Sequence, residues 1–197
     1  MTGHKIKPER AAHLDNRLRR FLIPAEKILS DFRPLESEIW TDIGAGTGYF
    51  TIPLSPHVRK VYAVDLSEDM LERLRRNLVE NHVNDVEVLK SGENSLPLAD
   101  ATADAALLAF VVHELDDPAV FFTELSRIIT PGGRICIVEF GKSRSFGPPL
   151  DHRLTVAQID TWARQAGFTA GGSWQWSRRF FGWKYVDLQG LQYRKKK

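Results

Sequence analysis

Residues 42–48 read Asp42-Ile43-Gly44-Ala45-Gly46-Thr47-Gly48, and Asp65 closes the next apolar run. Three glycines at alternate positions allow a turn whose backbone N–H groups lie open to a ligand, because glycine has no Cβ to block approach. An acidic residue about 20 positions after such a turn binds ribose hydroxyls in dinucleotide folds. Together they point to a cofactor with a nucleoside part. The spacing separates two kinds of cofactor. A dinucleotide fingerprint, G-x-G-x-x-G, started at Gly44 would place its third glycine on Tyr49. The pattern here is D-x-G-x-G-x-G. An acid ahead of the glycines suits a cationic ligand and opposes a pyrophosphate. Glycine-rich turns are common, and Asp42 alone reads equally as a cap for the next helix; Asp65 in register raises the pattern above that.

A second set of residues could move protons. His113 follows an apolar run, and an imidazole titrates near neutral pH. It suits a general base, and equally a structural residue hydrogen-bonded near the cofactor. Glu114 beside it completes no zinc motif, because H-E-x-x-H would need a histidine where Asp117 stands. Glu139, at the end of another apolar run, either binds a cation, orients a histidine, or is an ordinary strand-end acid. His152 and Arg153 follow Gly147-Pro148-Pro149, whose prolines stiffen the loop. They either meet a polar substrate or lie on the surface. Cys136 is the only cysteine, which excludes an internal disulfide and a cysteine metal site, and no metal is expected.

These residues need a frame that brings them together. Strands are expected at 38–43, 60–64, 86–90, 105–112 and 134–140. The run at 105–112 is apolar almost throughout, as in parallel sheets covered on both faces. Helices are expected between them. One starts at Tyr49. Another is capped by Ser67 and carries Met70, Leu71, Leu74 and Leu78 as its apolar stripe. A third spans 118–129 and stops at Thr130-Pro131-Gly132-Gly133. A fourth opens on the capping box Thr155 to Gln158 and ends at Gly167. Two strand-like stretches follow, around 168–176 and 179–188. Pro24 is expected to open a short helix behind a basic helical arm with Arg10, Arg17, Arg19 and Arg20. The arm's arginines read as a solvated face or as a surface for an acidic partner or RNA. The aromatics Trp162, Trp174, Trp176, Phe180, Phe181 and Trp183 read first as core packing and second as a platform for a flat substrate. Alternating strands and helices imply a doubly wound α/β sheet that binds ligands at the carboxyl ends of its strands.

The chain has 197 residues, is 43% hydrophobic and carries a net charge of +2. That suffices for one domain and demands no polyanion partner. No run of about 18 apolar residues offers a membrane span, and the stretch Phe21-Leu22-Ile23 is too short for a secretion signal. A cytoplasmic protein, monomeric or homodimeric, is the simplest expectation.

From about residue 36 to 190 the sequence resembles the class I S-adenosylmethionine (SAM)-dependent methyltransferases. The likeness is carried by the glycine turn, by Val61-Tyr62-Ala63-Val64-Asp65-Leu66-Ser67, and by Leu96-Pro97-Leu98 with Asp104. It continues through His113-Glu114-Leu115-Asp116-Asp117-Pro118 and 125–133. The nearest group is the one that includes the ubiquinone and menaquinone biosynthesis methyltransferases. The resemblance implies a Rossmann-like three-layer α/β/α fold with a seven-stranded, mostly parallel sheet whose last strand is antiparallel. It implies an arm (1–35) over the cofactor, a methyltransferase domain (36–192) and a basic, frayed tail (193–197). SAM is the implied cofactor and S-adenosylhomocysteine its product. Asp42, Ile43, Gly44, Ala45, Gly46, Thr47, Gly48 and Tyr49 would line the methionine part. Asp65 would accept from the ribose, Leu66 and Met70 would border the adenine, and Phe110 and Val111 would lie under the sulfonium. Where the family usually has an aspartate before Leu96-Pro97, this chain has Gly92, with Glu93 and Asn94 beside it as candidates for the adenine amino group.

Methyl transfer is a direct displacement that needs the nucleophile in line with the C–S bond, and a base only when that nucleophile must lose a proton. His113, Glu139 and His152 are the candidate catalytic residues. A small-molecule acceptor is the leading expectation, because a short chain leaves little room for a recognition domain. The alternatives are an RNA or protein methyltransferase, a nicotinamide-dependent oxidoreductase, and a non-catalytic SAM-binding protein. Nucleic acid is neither required nor excluded.

Overall fold

Each apolar run becomes a strand, and the strands join in one sheet: β1 (Ile39–Ile43), β2 (Lys60–Asp65), β3 (Val86–Lys90), β4 (Ala103–Ala109), β5 (Ile129–Phe140), β6 (Phe168–Phe180) and β7 (Trp183–Lys195). The computed structural model describes residues 22–143, 147–180 and 183–196. The strand order is β3-β2-β1-β4-β5-β7-β6. β1 lies parallel to β2 and β4, β2 to β3, and β4 to β5. β7 runs antiparallel to both β5 and β6. The expected seven-stranded sheet with an antiparallel last strand is therefore present. The order reverses between β1 and β4, and in such sheets the crevice outside the carboxyl ends at the reversal is where ligands bind.

Helices α1 (Ala25–Phe32), α2 (Thr51–Leu54), α3 (Glu68–Glu80), α4 (Pro118–Ile128) and α5 (Val156–Gln165) complete three layers. Side chains alternate across a strand with period two. In β4, Ala105 and Leu107 face α1 and α2, whereas Ala106 and Leu108 face α4 and α5. Leu71, Leu74 and Leu78 of α3 cover Ala63. Phe121, Phe122, Leu125 and Ile128 of α4 join Ile159 and Ala163 of α5 on the other face. Both faces of β4 are covered, so its residues 105–109 read as a continuous apolar run. Each fully buried Leu, Ile or Phe stabilises the fold by about 1.5–3 kcal/mol.

The helix signals act as expected. Ser67 Oγ accepts the Met70 N–H, and Thr155 and Gln158 close a reciprocal capping box. Gly167, in the left-handed region at φ 87°, follows the C-cap Ala166 of α5. Pro24 takes the N-cap position of α1. Trp174 and Trp176 meet Phe32 edge-on, and Trp176 Nε1 donates to Asp31 Oδ2 at 2.7 Å. Trp162 packs on Phe122. These three tryptophans are core packing between sheet and helices. At the amino end of the sheet, the buried Arg134 guanidinium donates to both oxygens of Glu38, which also accepts from Trp40 Nε1.

Several boundaries differ from the sequence reading, and one is β5, which starts at Ile129, directly after α4, and so takes in the expected turn Thr130-Pro131-Gly132-Gly133. The helix expected at Tyr49 begins at Thr51, because Gly48 at φ 92° prolongs the turn. β4 stops at Ala109, and Val112–Glu114 forms a turn of 3-10 helix after Phe110 turns left-handed at φ 63°. β6 and β7 are longer than expected. The expected frayed tail is strand as far as Lys195. Tyr193 is buried there, Arg194 pairs with Arg134 and Thr169, and Lys195 Nζ donates to the Ser126 and Ile129 carbonyls. The arginines of the expected arm, Arg10, Arg17, Arg19 and Arg20, lie outside the described residues, as do Phe181 and the side chains of Phe180 and Trp183.

Candidate functional site

The turn after β1 is shaped by its glycines. Gly44, Gly46 and Gly48 have φ values of 68°, 55° and 92°, a region that costs an L-residue roughly 1–2 kcal/mol. A Cβ on Gly44 would lie 2.4 Å from Val111 Cγ2, and one on Gly48 would lie 2.5 Å from Leu74 Cδ1. Gly46 differs. A Cβ there would meet nothing closer than the Gly44 carbonyl at 4.0 Å, so its side opens on free space. The Gly44 and Ala45 N–H groups donate to the Val64 carbonyl and dock the turn on β2.

Two aspartates hold this turn from different sides. Asp42 is 2% exposed and accepts the Thr51 hydroxyl at 2.6 Å, which ties β1 to the first turn of α2. Burial pushes its carboxyl up to about 7, with the Thr51 bond opposing and the charge of Asp65 adding. Asp65, at the tip of β2, receives the Gly46 N–H on Oδ2 at 2.8 Å and the Ser67 N–H on Oδ1 at 2.9 Å. Burial raises its pKa against those backbone bonds.

The remaining expected cofactor residues fall around this crevice. Leu66 is partly exposed and Met70 is buried at the start of α3. Gly92, Glu93 and Asn94 form an exposed loop after β3. That loop is tied to β2 by the Ser91 N–H on the Asp65 carbonyl and closed by the Gly92 N–H on the Ser95 carbonyl. Phe110 stacks on Phe140 with ring centroids 4.7 Å apart. Left-handed backbone at a bulky residue costs about 1–3 kcal/mol and gathers at functional sites. Tyr49 donates its hydroxyl to the Ile23 carbonyl, so the described part of the N-terminal segment is pinned to the glycine turn.

At the end of β5, Glu139 is buried and faces His113. Glu139 Oε1 accepts the His113 backbone N–H at 3.2 Å, and Oε2 lies 2.8 Å from Nδ1. On the other side of the ring, Glu114 Oε1 stands 4.0 Å from Nε2. Burial works against protonation of His113. The bond to Glu139 and the charges of Glu139 and Glu114 outweigh it, against Arg153, and the pKa is raised. Burial likewise lifts Glu114 to about 7, with Glu139 and Asp65 adding and His113 opposing. The mouth is therefore acidic.

His152 and Arg153 go opposite ways. His152 is exposed at the loop surface. Arg153 is 3% exposed, and its guanidinium donates to the carbonyls of Pro148, Gly141 and Ser143 and lies over the Phe140 ring. It fixes the loop after β5 from inside. Sequence reasoning singled out Glu139 and His113 but gave Glu114 no role. The usable signal was an acid adjacent to a histidine just past a parallel strand.

The residues fit SAM. The open side of Gly46 and a mouth rich in carboxylates suit a cationic nucleoside, and those carboxylates would repel a pyrophosphate. Among the described residues, no helix is long and apolar enough to cross a membrane.

Known proteins agree with this geometry. Residues 41–137 match a family model described as a methyltransferase domain. The fold matches a crystal structure of a SAM-dependent methyltransferase from Aquifex aeolicus with a TM-score of 0.86 and 30% identity, over 96% of this chain and 99% of that one. The demethylmenaquinone methyltransferase of Clavibacter sepedonicus is 36% identical over 107 residues, 54% of this chain and 43% of that enzyme. The ubiquinone/menaquinone biosynthesis C-methyltransferase of Hahella chejuensis is 31% identical over 105 residues, 51% of this chain and 42% of that enzyme. The matches thus span less than half the length of these two relatives.

Proposed function

The chain belongs to the SAM-dependent methyltransferases, and from that membership we propose that it transfers a methyl group from SAM to a small-molecule acceptor by in-line displacement. The observation that carries the proposal is the tie between the glycine turn and Asp65 at the sheet's reversal point. The bound cofactor supplies a methyl carbon on a sulfonium, which is already a good leaving group. The protein's task is to hold the acceptor in line and to manage its proton.

Each residue then has a part. Residues 42–49 form the cradle for the methionine end, with the Gly46 side left clear. Asp65, already oriented by two backbone N–H groups, accepts from the ribose. Leu66 and Met70 border the adenine, and the loop holding Gly92, Glu93 and Asn94 reaches its amino group. Phe110 and Val111 floor the sulfonium. His113 takes a proton, with Glu139 behind it. His152, exposed on the loop, is assigned to the acceptor's approach. The relatives named for quinone biosynthesis support a flat, hydroxylated small molecule as the acceptor. The single unpaired thiol, Cys136, is in keeping with a reducing cytoplasm.

The test is calorimetric titration with SAM, S-adenosylhomocysteine and NADH, repeated on Asp65→Ala. Micromolar binding of both adenosyl ligands, absent for NADH and lost in the variant, is expected. A folded wild-type protein that binds neither adenosyl ligand would remove the proposal.

A further inference from the structure

We infer that Glu139, His113 and Glu114 form a proton relay in which Glu139 is a positioning residue, His113 Nε2 is the proton acceptor, and Glu114 is the mouth-side partner of the charge that results. The acceptor class follows: a nucleophile that must lose a proton, from an O–H, an N–H or an activated C–H group. The inference deepens the methyltransferase reading and rests on it for the acceptor class alone.

The geometry assigns the roles. Glu139 is buried, and one of its oxygens already receives the His113 backbone N–H. Its second oxygen, 2.8 Å from Nδ1, is satisfied only if Nδ1 carries a proton and donates. That fixes the neutral ring as the Nδ1–H tautomer and leaves the lone pair on Nε2. Nε2 lies on the side of Glu114, whose carboxylate is 4.0 Å away, beyond a hydrogen bond but close enough to stabilise a positive ring. The Glu114 side chain is 31% exposed against 11% for His113, so the relay leads outward.

Among the described residues, three charged groups act on the ring. Glu114 comes from the ring's own 3-10 turn, Glu139 from β5, and Arg153 from the loop before α5, with Asp65 of β2 acting on Glu114. The protic step balances as follows. An electron pair of the acceptor bonds to the methyl carbon, the pair of the broken C–S bond stays on sulfur, and the acceptor's proton moves to Nε2. The imidazolium then stands between two acidic side chains, is stabilised by Glu114 across 4.0 Å without a hydrogen bond to it, and releases its proton to solvent at the mouth. An acceptor without a proton, such as a thioether, would gain nothing from this arrangement.

The test is NMR of ¹⁵N-histidine-labelled protein across pH 5–9 in the wild type, Glu139→Gln and Glu114→Gln. Expected are a neutral His113 protonated at Nδ1 and a wild-type midpoint above 6.5. Both variants should lower that midpoint, and only Glu139→Gln should disturb the tautomer. A neutral ring protonated mainly at Nε2 has no lone pair toward the mouth and overturns the relay together with the protic class. A midpoint unmoved in Glu114→Gln overturns the role of Glu114, and the wild-type tautomer still decides the rest if Glu139→Gln fails to fold. S-adenosylhomocysteine titrated into the same samples keeps the two readings apart. Failure to bind it counts against the methyltransferase reading, whereas the tautomer is read without ligand.

Discussion

Asp65 Oδ2 accepts the backbone N–H of Gly46 at 2.8 Å across 19 positions of sequence. The two halves of the nucleoside fingerprint are thus one hydrogen-bonded unit. Asp65→Asn retains an acceptor for Gly46 but loses the charge. Asp65→Ala loses both. A hydrogen bond to a charged group contributes about 1.5–3 kcal/mol, roughly 10- to 150-fold in affinity. Calorimetry should therefore rank SAM affinity as wild type, then Asp65→Asn, then Asp65→Ala. Equal affinities for the two variants would mean that the preformed tie to Gly46 is irrelevant to binding.

The glycines of the turn make separable predictions. Gly46→Ala meets no atom within van der Waals contact, so only the left-handed backbone at φ 55° resists it. A melting temperature about 2–8 °C lower is expected, with a much larger proportional loss of SAM affinity, because the new methyl fills the cradle. Gly48→Ala drives a Cβ to 2.5 Å from Leu74 Cδ1 in the core under α3, so its principal cost is stability. Thermal melts and titrations on both variants check this. If Gly46→Ala binds SAM like the wild type, the open side of Gly46 does not face the cofactor.

Much of this was legible in the sequence, and for identifiable reasons. β4 announced itself because a strand covered on both faces needs apolar residues at every position, as 105–108 show. Asp65 was legible because strand and turn fix its distance from the glycines. Arg153 was not: an isolated arginine after two prolines reads as surface, and only the fold shows three backbone carbonyls converging on its guanidinium. Glu114 was missed because its importance comes from β5 and β2, which approach it through the sheet and not along the chain. The basic end of β7 read as a tail because local charge hides the pairing with β5 and β6.

Arg153 supplies a stability prediction. Arg153→Lys keeps the charge but loses the planar fork that reaches the carbonyls of Pro148, Gly141 and Ser143. Of these, the bond to the Gly141 carbonyl is buried and those to Pro148 and Ser143 are half-buried, and leaving a buried carbonyl unpaired costs about 1–3 kcal/mol where water does not replace the donor. A melting temperature lower by roughly 5–10 °C is expected, together with faster proteolysis within 141–153. An unchanged melt would place this arginine's bonds among the dispensable ones.

Asp42 makes stability fall as pH rises. Its carboxyl is raised from 3.8 to about 7, so the fold favours the protonated form. Between those values the native state binds more protons than the unfolded chain, and stability decreases with increasing pH. The contribution is full below about pH 3.8 and is lost as pH climbs through 7. Asp42→Asn still offers Thr51 an acceptor but has no proton to lose. Denaturant melts at pH 5 and pH 8 should show the wild type losing more stability over that interval than Asp42→Asn, whatever the variant's absolute stability. Parallel losses would mean that Asp42 is ionised throughout.

The acids at the mouth, Asp65 and Glu114, make cofactor affinity depend on pH in the opposite sense. Asp65 is raised by burial and Glu114 stands at about 7. A cation bound beside them favours their ionised forms, so binding expels protons and tightens as pH rises from 6 to 8. The sulfonium distinguishes the two adenosyl ligands, since S-adenosylhomocysteine lacks that charge. Titrations of each ligand in buffers of different ionisation enthalpy should therefore show greater proton release for SAM. Glu114→Gln should narrow the difference, leaving the part due to Asp65. Equal release for the two ligands in the wild type would show that the carboxylates at the mouth do not sense the sulfonium, and that the acidity there serves the acceptor alone.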